Sequence, residues 1–221
     1  TNASIVMEYG IRSFHPKNRI AESGLISFGL RNDANNSGGV IGYYSPFHAS
    51  KRTGFTFNIR VRVKQVYGGS TYFMMGRLAQ IKVAPGQYEM PIVSCVAVDY
   101  MDDAARANSP TALQVSKRSD QVFSAILANM AVQPAASSIG VGKDTYAFAL
   151  DNVSTEQKVL EVWADLMRSE LGYAFCKRDA TVGQTLVFEH RHVRAAVSTT
   201  LVTLSNTMHE LDLPGDRNEI L

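Results

Sequence analysis

Apolar and polar residues alternate most regularly between residues 55 and 99. In residues 55–64 every second side chain is apolar, which is the period of a strand with one buried and one wet side. The apolar members are Phe55, Phe57, Ile59, Val61 and Val63, and the basic members of the opposite face are Arg60, Arg62 and Lys64. A glycine pair after Tyr67 predicts a turn into a strand at 71–83, and Pro85-Gly86 predicts a turn into another at 88–99. The pattern predicts an antiparallel sheet whose last strand, apolar on both faces, is covered on both sides.

Helical periodicity follows this sheet. After Asp99, either Asp102 or Asp103 is expected to cap a short helix and to place negative charge at its positive end. Ser119 is the predicted cap of a second helix, which Gln133-Pro134 ends. The apolar positions of that helix are Val122, Phe123, Ile126, Leu127 and Met130.

The strongest helix pattern begins at a capping box, Ser154-Thr155-Glu156-Gln157. Its apolar stripe consists of Val159, Val162, Trp163, Leu166, Met167 and Leu171, and Gly172 stands where a left-handed C-cap is expected. A strand at 145–150 precedes this helix, and strands at 173–176 and 185–189 are predicted to pair after it as a hairpin. The order strand, helix, hairpin indicates an α+β fold.

Strand patterns also occupy residues 4–12, 24–31 and 195–213. Because strand periodicity stops near residue 103 and returns at Val197, two domains are expected. Residues 1–107 and 195–221 are predicted to form one mostly antiparallel β domain. Residues 108–194 are predicted to be inserted as a smaller α+β domain, with two helices packed on short strands.

A long connection, residues 32–54, is dense in turn-forming residues. A loop of this length inside a compact domain usually has a function or contacts a partner. Its aromatic residues Tyr43, Tyr44 and Phe47 are costly to leave in water, so we expect them to pack on another subunit. With the basic residues Arg60, Arg62 and Lys64 they form the set of candidate subunit-interface residues.

Composition is that of an ordinary globular protein. The 221 residues are 45% hydrophobic and 19% charged, and the net charge of +2 is too small to indicate nucleic-acid binding by itself. Cys95 and Cys176 lie in strand-like apolar stretches, so free buried thiols are expected, as in a reducing compartment. No run approaches the ~18 apolar residues of a membrane span. A start without Met and a strand-like end lead us to expect a segment of a longer polypeptide.

Candidate chemistry is sparse, and each motif has a simpler structural interpretation. His190 and His192 have a spacing that suits a metal on one face of a strand, but no matching Cys or carboxylate accompanies them. Residues 140–144, Gly-Val-Gly-Lys-Asp, resemble part of a phosphate loop, but the first glycine and the final Ser or Thr are missing, so a turn is favoured. Asp99, Asp102 and Asp103 suit helix capping better than a divalent ion. We therefore expect no catalytic site, no metal and no cofactor.

Two regions resemble the family of bacteriophage tail hub and baseplate hub proteins. Residues 75–87 (MGRLAQIKVAPGQ) and 96–102 (VAVDYMD) resemble a strand of the type G-x-[IVL] followed by a strand ending in D-x-[ML]. Residues 170–175 (ELGYAF) and 185–189 (TLVFE) are similar to a helix and hairpin of the type G-Y-x-[FY] … G-x-L-x-F. Residues 216–221 resemble the segment that leads into a further strand of the first barrel. The connection at 32–54 is not part of this pattern.

The resemblance implies that the β domain is an antiparallel β-barrel and that the protein is a structural part of a tail tip or baseplate. Its copies, usually three, would form a ring that continues the tail tube and seats the tip spike or fibres. DNA would pass through the lumen without sequence-specific binding. Tube, distal tail, spike and fibre proteins would be the partners, and the virion would be the location after synthesis in the host cytoplasm.

Two other classes of function fit parts of the sequence. A carbohydrate-binding module for host recognition would use Tyr43, Tyr44, Phe47 and Tyr67 as stacking residues in glycine-rich loops. A tail-associated hydrolase would use Asp99, Asp102 or Asp103 and would need two carboxylates at a defined separation.

Overall fold

The longest strands form where the alternation of apolar and polar residues is strongest. A computed structural model describes residues 5–11, 18–67, 69–84, 91–151, 153, 157–178 and 184–193. The strands are β1 Val6–Glu8, β2 Leu25–Arg31, β3 Arg60–Tyr67, β4 Ser70–Val83, β5 Ile92–Val98, β6 Gln114–Arg118, β7 Ser137–Ile139, β8 Thr145–Ala149, β9 Tyr173–Lys177 and β10 Thr185–Glu189. The helices are α1 Tyr100–Arg106, α2 Ser119–Ala128 and α3 Val159–Glu170.

The first five strands form the predicted antiparallel sheet, in the order β1-β2-β5-β4-β3. β3 and β4 pair without a break from Arg60 opposite Arg77 to Tyr67 opposite Ser70. The register of β4 on β5 shifts between Leu78 and Gln80, and such a bulge increases the local twist. The sheet therefore curls instead of lying flat.

A compact apolar cluster fills the concave side of this sheet. Phe28 of β2 and Val61 of β3 contact the same cluster, although β5 and β4 lie between their strands. The buried members are Tyr44, Phe55, Leu78, Val93 and Cys95. The result is a curled half-barrel, and its closure into a full barrel stays a prediction.

A second core lies between the helices and a three-stranded sheet of order β7-β10-β9. Trp163 of α3 stacks on Phe123 of α2 with ring centroids 4.3 Å apart, and Phe123 contacts Phe188 of β10 at 5.2 Å. The β9–β10 hairpin is antiparallel, as predicted. The sequence patterns missed β7, which adds parallel to β10, and β6, which pairs with β8. The mixed α+β class is confirmed.

Two strand predictions need correction. The alternation from Phe55 suggested a strand from there onward, but β3 begins at Arg60, because Asn58 has a φ of 62° and turns the chain. Asparagine tolerates this left-handed conformation better than most residues. β5 was expected to be covered on both faces, but only the face with Val93, Cys95 and Ala97 is buried, whereas Ile92 is 38% exposed.

The predicted helix caps were also partly wrong. α2 is capped by Arg118, whose main-chain N–H donates to Gln121 Oε1 (3.0 Å), and Ser119 is the first helical residue. This helix ends at Ala128, before the predicted stop at Gln133-Pro134. α3 begins at Val159 after the cap Lys158. Of the predicted capping box, residues 154–156 lie outside the described residues.

The left-handed residue at the end of α3 is Leu171, with a φ of 56°, and not Gly172. Gly172 is instead required because the main chain of β10 packs closely against it. A Cβ placed there would overlap the carbonyl oxygen of Glu189 in β10. The glycine therefore allows the start of β9 to approach its partner strand.

Thr1–Arg191 form one compact unit and His192–Leu221 a second. The structure describes only the first two residues of the second unit. The expected strand at 195–213 lies outside the described residues. The assignment of 1–107 with 195–221, and of 108–194 as an insertion, stays a prediction.

Gly172→Ala is expected to destabilise the protein by about 2 kcal/mol, because the new methyl group must displace the main chain of β10. Gly140→Ala is the matched control, since its Cβ would meet the Phe188 carbonyl oxygen of the same strand at a longer distance of 3.2 Å. Urea denaturation of both variants measures the difference. Equal stability of the two would contradict the packing argument.

Candidate interaction surface

The loop between β2 and β3 is held in shape by one buried amide. Asn32 is 5% exposed. Its Oδ1 accepts from the main-chain N–H of Tyr44 at 2.9 Å, and its Nδ2 donates to Ser45 Oγ at 2.7 Å. The Tyr44 hydroxyl forms a 2.6 Å hydrogen bond with Ser37 Oγ. The loop is therefore an ordered part of the domain.

This order directs two of the three predicted interface aromatics into the chain's own core. Tyr44 is buried and contacts Phe55 edge-on with centroids 5.5 Å apart, and Tyr43 is half-buried against Tyr44 at 5.1 Å. Tyr44 is therefore buried within its own chain, and the contact of Tyr43 and Tyr44 with another subunit stays a prediction. Tyr43 and Tyr44 also present no open pair of rings on which a sugar could stack.

The third aromatic, Phe47, is 93% exposed. Two further apolar side chains of the same loop point outward, since Val40 is 40% and Ile41 is 66% exposed. Exposed apolar residues are common when they stand alone. Three on one ordered loop form a feature of the surface, which we call the loop patch.

The basic residues of β3 lie where the alternation predicted. Arg60, Arg62 and Lys64 are exposed, and Val61 and Val63 between them are half-buried toward the core side. β3 stands at one end of the sheet and pairs only with β4 among the described strands. An edge strand offers main-chain donors and acceptors to another chain, and Lys or Arg side chains on it discourage unspecific pairing.

Asp99 caps α1, in place of the predicted Asp102 or Asp103. Its Oδ1 accepts from the main-chain N–H of Met101 at 3.0 Å. Asp102 and Asp103 lie in the first turn, as negative charge near a helix N-terminus should. Asp102 pairs with Arg106 at 2.8 Å, and Asp103 lies 3.6 Å from the guanidinium of Arg77.

Burial makes the carboxyl of Asp99 a weaker acid than an ordinary aspartate. Desolvation raises the pKa of this carboxyl from 3.8 to about 6, although main-chain hydrogen bonds from Gly24, Met101 and Asp102 pull its pKa the other way. A Cβ on Gly24 would lie 2.6 Å from Asp99 Oδ2, so the chain packs tightly over this group. The cap role accounts for the position of the carboxylate between β5 and α1.

Residues 140–144, which resemble part of a phosphate loop, bind the carboxylate of Glu170 from the same chain. The main-chain N–H groups of Lys143 and Asp144 donate to Glu170 Oε2 at 3.2 and 2.9 Å. The Lys143 N–H also lies 3.1 Å from Oε1. Ser119 Oγ donates to Oε2 at 2.6 Å. The favoured interpretation as a structural turn is consistent with these contacts.

Glu170 was missed in the sequence, although a signal was present. It is fully buried, and it stands seven residues after Trp163 on the apolar stripe of α3. A carboxylate at the C-terminal end of a helix also opposes the helix dipole. A charged residue at such a place needs dedicated donors, and these come from the 140–144 loop and from α2.

The structure also places the histidines and cysteines that the sequence analysis singled out. β10 ends at Glu189, so His190 and His192 do not lie on a strand as predicted. Among the described residues no cluster of three or more His, Cys, Asp or Glu is placed to hold a metal ion. Cys95 and Cys176 are free buried thiols, as predicted, and burial raises the pKa of Cys95 to about 11. No described helix combines the length and apolarity needed to cross a membrane.

No family model and no curated protein matches the sequence. Among solved structures, the chain is similar to the E. coli protein c3393, with a TM-score of 0.47 and 10% identity. That protein is described as a component of the type VI secretion system with structural similarity to T4 bacteriophage tail proteins gp27 and gp5. The match covers 85% of this chain and 46% of that one, so this chain spans less than half of its length.

Asp99→Asn should change the pH dependence of stability in a defined direction. Because the folded pKa is raised, protonation of Asp99 stabilises the fold fully below pH 3.8, and this contribution is lost as pH rises through about 6. Asn keeps the cap and does not titrate. As pH rises from 4.5 to 7.5, the free energy of unfolding of the variant should increase relative to that of wild type by about 2 kcal/mol, as measured by urea denaturation.

Asp165→Asn is the control for this measurement, since its side chain is 73% exposed on α3. It should show no comparable gain. A stability difference between Asp99→Asn and wild type that stays constant over this pH range would rule out the raised pKa.

Glu170→Ala is expected to lower the free energy of unfolding by about 3 kcal/mol, because it removes the acceptor shared by the main-chain N–H groups of Lys143 and Asp144 and by the buried Ser119 hydroxyl. Formate should restore part of this loss, since it can fill the anion site, whereas chloride at the same ionic strength should not. Asp165→Ala, which removes a carboxylate that is 73% exposed on the same helix, is the control. Chemical denaturation of Glu170→Ala that matched wild type would refute the role of the carboxylate.

Proposed function

We propose that this protein is a structural component of a phage tail tip or baseplate hub. In this proposal its copies form a closed ring that links the tail tube to the tip spike or fibres and lets DNA pass. The observation that carries the proposal is an ordered loop with exposed apolar residues beside a sheet that ends in a basic edge strand.

The loop patch supports a contact between protein surfaces. A phenylalanine side chain represents roughly 150 to 250 Å² of apolar surface, and Phe47 leaves 93% of itself in water. The hydrogen bonds of Asn32 fix the loop, so the patch is preorganised and little order has to be gained on binding. A neighbouring copy is the partner that we assign to it.

The basic edge of the sheet supports the ring. When two different surfaces of one chain meet head to tail, the assembly closes if the rotation between copies closes. The loop patch and β3 are two such different surfaces. Arg60, Arg62 and Lys64 give each copy three exposed cations on one strand, which suits a lumen for DNA without base-specific contacts.

The sequence resemblance to tail hub proteins adds the context of this assembly. It is the basis for the trimer, for the tube, distal tail, spike and fibre partners, and for the location in the virion. The curled antiparallel sheet with an α+β portion agrees with the coarse fold that the resemblance implies. The proposed role is structural and uses no catalytic residue.

Phe47→Ser should abolish ring assembly and leave the fold intact, because the side chain makes no part of the core. Sedimentation velocity should show oligomers for wild type and monomers for the variant, and the two proteins should melt alike by circular dichroism. Phe148→Ser is the matched control, since Phe148 is also an exposed aromatic, at 73%, but lies on β8.

The proposal would be contradicted if Phe47→Ser formed oligomers of unchanged size. It would also be contradicted if the wild-type protein stayed monomeric up to its solubility limit. Intact rings together with lost adsorption to host cells would instead favour the carbohydrate-binding function.

A further inference from the structure

A cavity of about 410 Å³ borders the apolar cluster of the curled sheet. Part of its lining belongs to that cluster or packs against it, namely Phe28, Leu30, Tyr44, Phe55, Ile59 and Val61. An engineered cavity of about 150 Å³ already holds a benzene ring, and natural ligand sites begin at about 300 Å³. The cavity is therefore large enough for an aromatic side chain and the atoms that carry it.

The cavity is open to solvent at one rim. Tyr44 and Phe55 in its lining are buried, whereas residues 52–54 of the same loop also line it and are exposed. A Cβ built on Gly54 would meet nothing within 4 Å, so there is free space beside this rim. Because contact between apolar surface and water is unfavourable, an open apolar hollow favours an apolar occupant.

The chain presents an apolar side chain that suits this cavity but does not fill it within the same copy. Phe47 precedes residues 52–54 in the loop, yet it is 93% exposed and does not line the cavity of its own chain. Ser45 N–H donates to the Gly42 carbonyl at 3.0 Å, and His48 N–H donates to the Ser45 carbonyl at 3.1 Å. Ordered main chain therefore holds Phe47 outward.

The charges near the cavity permit a contact with this part of another copy. Arg52 and Arg60 line the cavity and are exposed, and the lining contains no carboxylate. Residues 34–50, which include Phe47, contain no Asp, Glu, Lys or Arg. When residues 34–50 of one copy approach the cavity of the next, no like charges of those residues and the lining meet.

We infer that the cavity of one copy receives the Phe47 side chain of the neighbouring copy. The anchor and the cavity are different surfaces of the same chain, so each copy can give one contact and receive another. A large aromatic side chain in a fitting pocket is typical of the few residues that carry most of the binding energy of an interface. Phe47 is thus the anchor of the loop patch.

This inference deepens the proposed function and rests on it, because it names the surface of the neighbouring copy that covers the loop patch. It agrees with the use of β3 as the second surface of the ring, since Val61 of β3 lines the cavity. The ring and the inference can still fail separately, because a chain or a two-fold dimer could use the same contact.

Val61→Phe tests the cavity by filling it, since Val61 lines it and is half-buried. The variant should raise the dissociation constant for assembly at least about tenfold in sedimentation velocity. Val115→Phe is the matched control, because it adds the same group to β6, where Val115 is 50% exposed and outside the cavity lining. Thr53→Trp, at the exposed rim, replaces Val61→Phe throughout if circular dichroism shows that Val61→Phe is unfolded.

An equal mixture of Phe47→Ser and Val61→Phe tests the pairing itself. Phe47→Ser keeps the cavity and Val61→Phe keeps the anchor, so each should be monomeric alone and the mixture should form a heterodimer. Native mass spectrometry distinguishes the two chains by mass. Replacing Val61→Phe in the mixture by the double variant Phe47→Ser/Val61→Phe, which has neither anchor nor cavity, should leave only monomers.

Three outcomes decide between the inference and the ring. Wild-type rings that persist in folded Val61→Phe would overturn the inference and leave the ring. Wild-type chains or two-fold dimers, together with a heterodimer in the mixture, would refute the ring and keep the inference. A mixture that stays monomeric up to its solubility limit would overturn the inference, whatever the wild type forms.

Discussion

The buried carboxylate of Glu170 joins the parts of the α+β half of the chain. Its oxygens hold the first residue of α2 through Ser119 and the segment before β8 through Lys143 and Asp144. Arg191 extends this cluster, since it pairs with Asp144 and its Nε lies 3.9 Å from Glu170 Oε1. A fully buried charge is tolerated only when such donors surround it. The stacked rings of Phe123 and Trp163 lie on α2 and α3, the same two helices that the Ser119–Glu170 hydrogen bond connects.

The alternation of residues predicted the sheet well, because burial of one face enforces a period of two over long strands. β4 matches its prediction closely, and the apolar stripe of α3 is buried as expected from Val159 to Met167, whereas Leu171, its last predicted member, is 46% exposed. Boundaries were harder, because a single left-handed residue such as Asn58 or Leu171 ends an element without disturbing the apolar pattern. Short strands such as β7 are also invisible in sequence, since three residues carry no period and depend on a neighbour that is distant in the chain.

The candidate surface was predictable in part for similar reasons. Exposure of Arg60, Arg62 and Lys64 follows from alternation alone. The burial of Tyr44 and the exposure of Phe47 do not follow from alternation, because both residues lie in one loop whose shape is set by hydrogen bonds between distant residues, such as those of Asn32 and Ser37. The curl of the sheet accompanies the register shift between Leu78 and Gln80, and no local sequence pattern encodes that shift.

The central claim is that this chain acts by contacting other chains. Cryo-electron microscopy of the assembled wild-type protein tests it most directly. The account predicts closed rings in which the loop patch of Val40, Ile41 and Phe47 is covered by a neighbouring copy. Single particles of monomer mass, or rings in which this patch faces solvent, would contradict it.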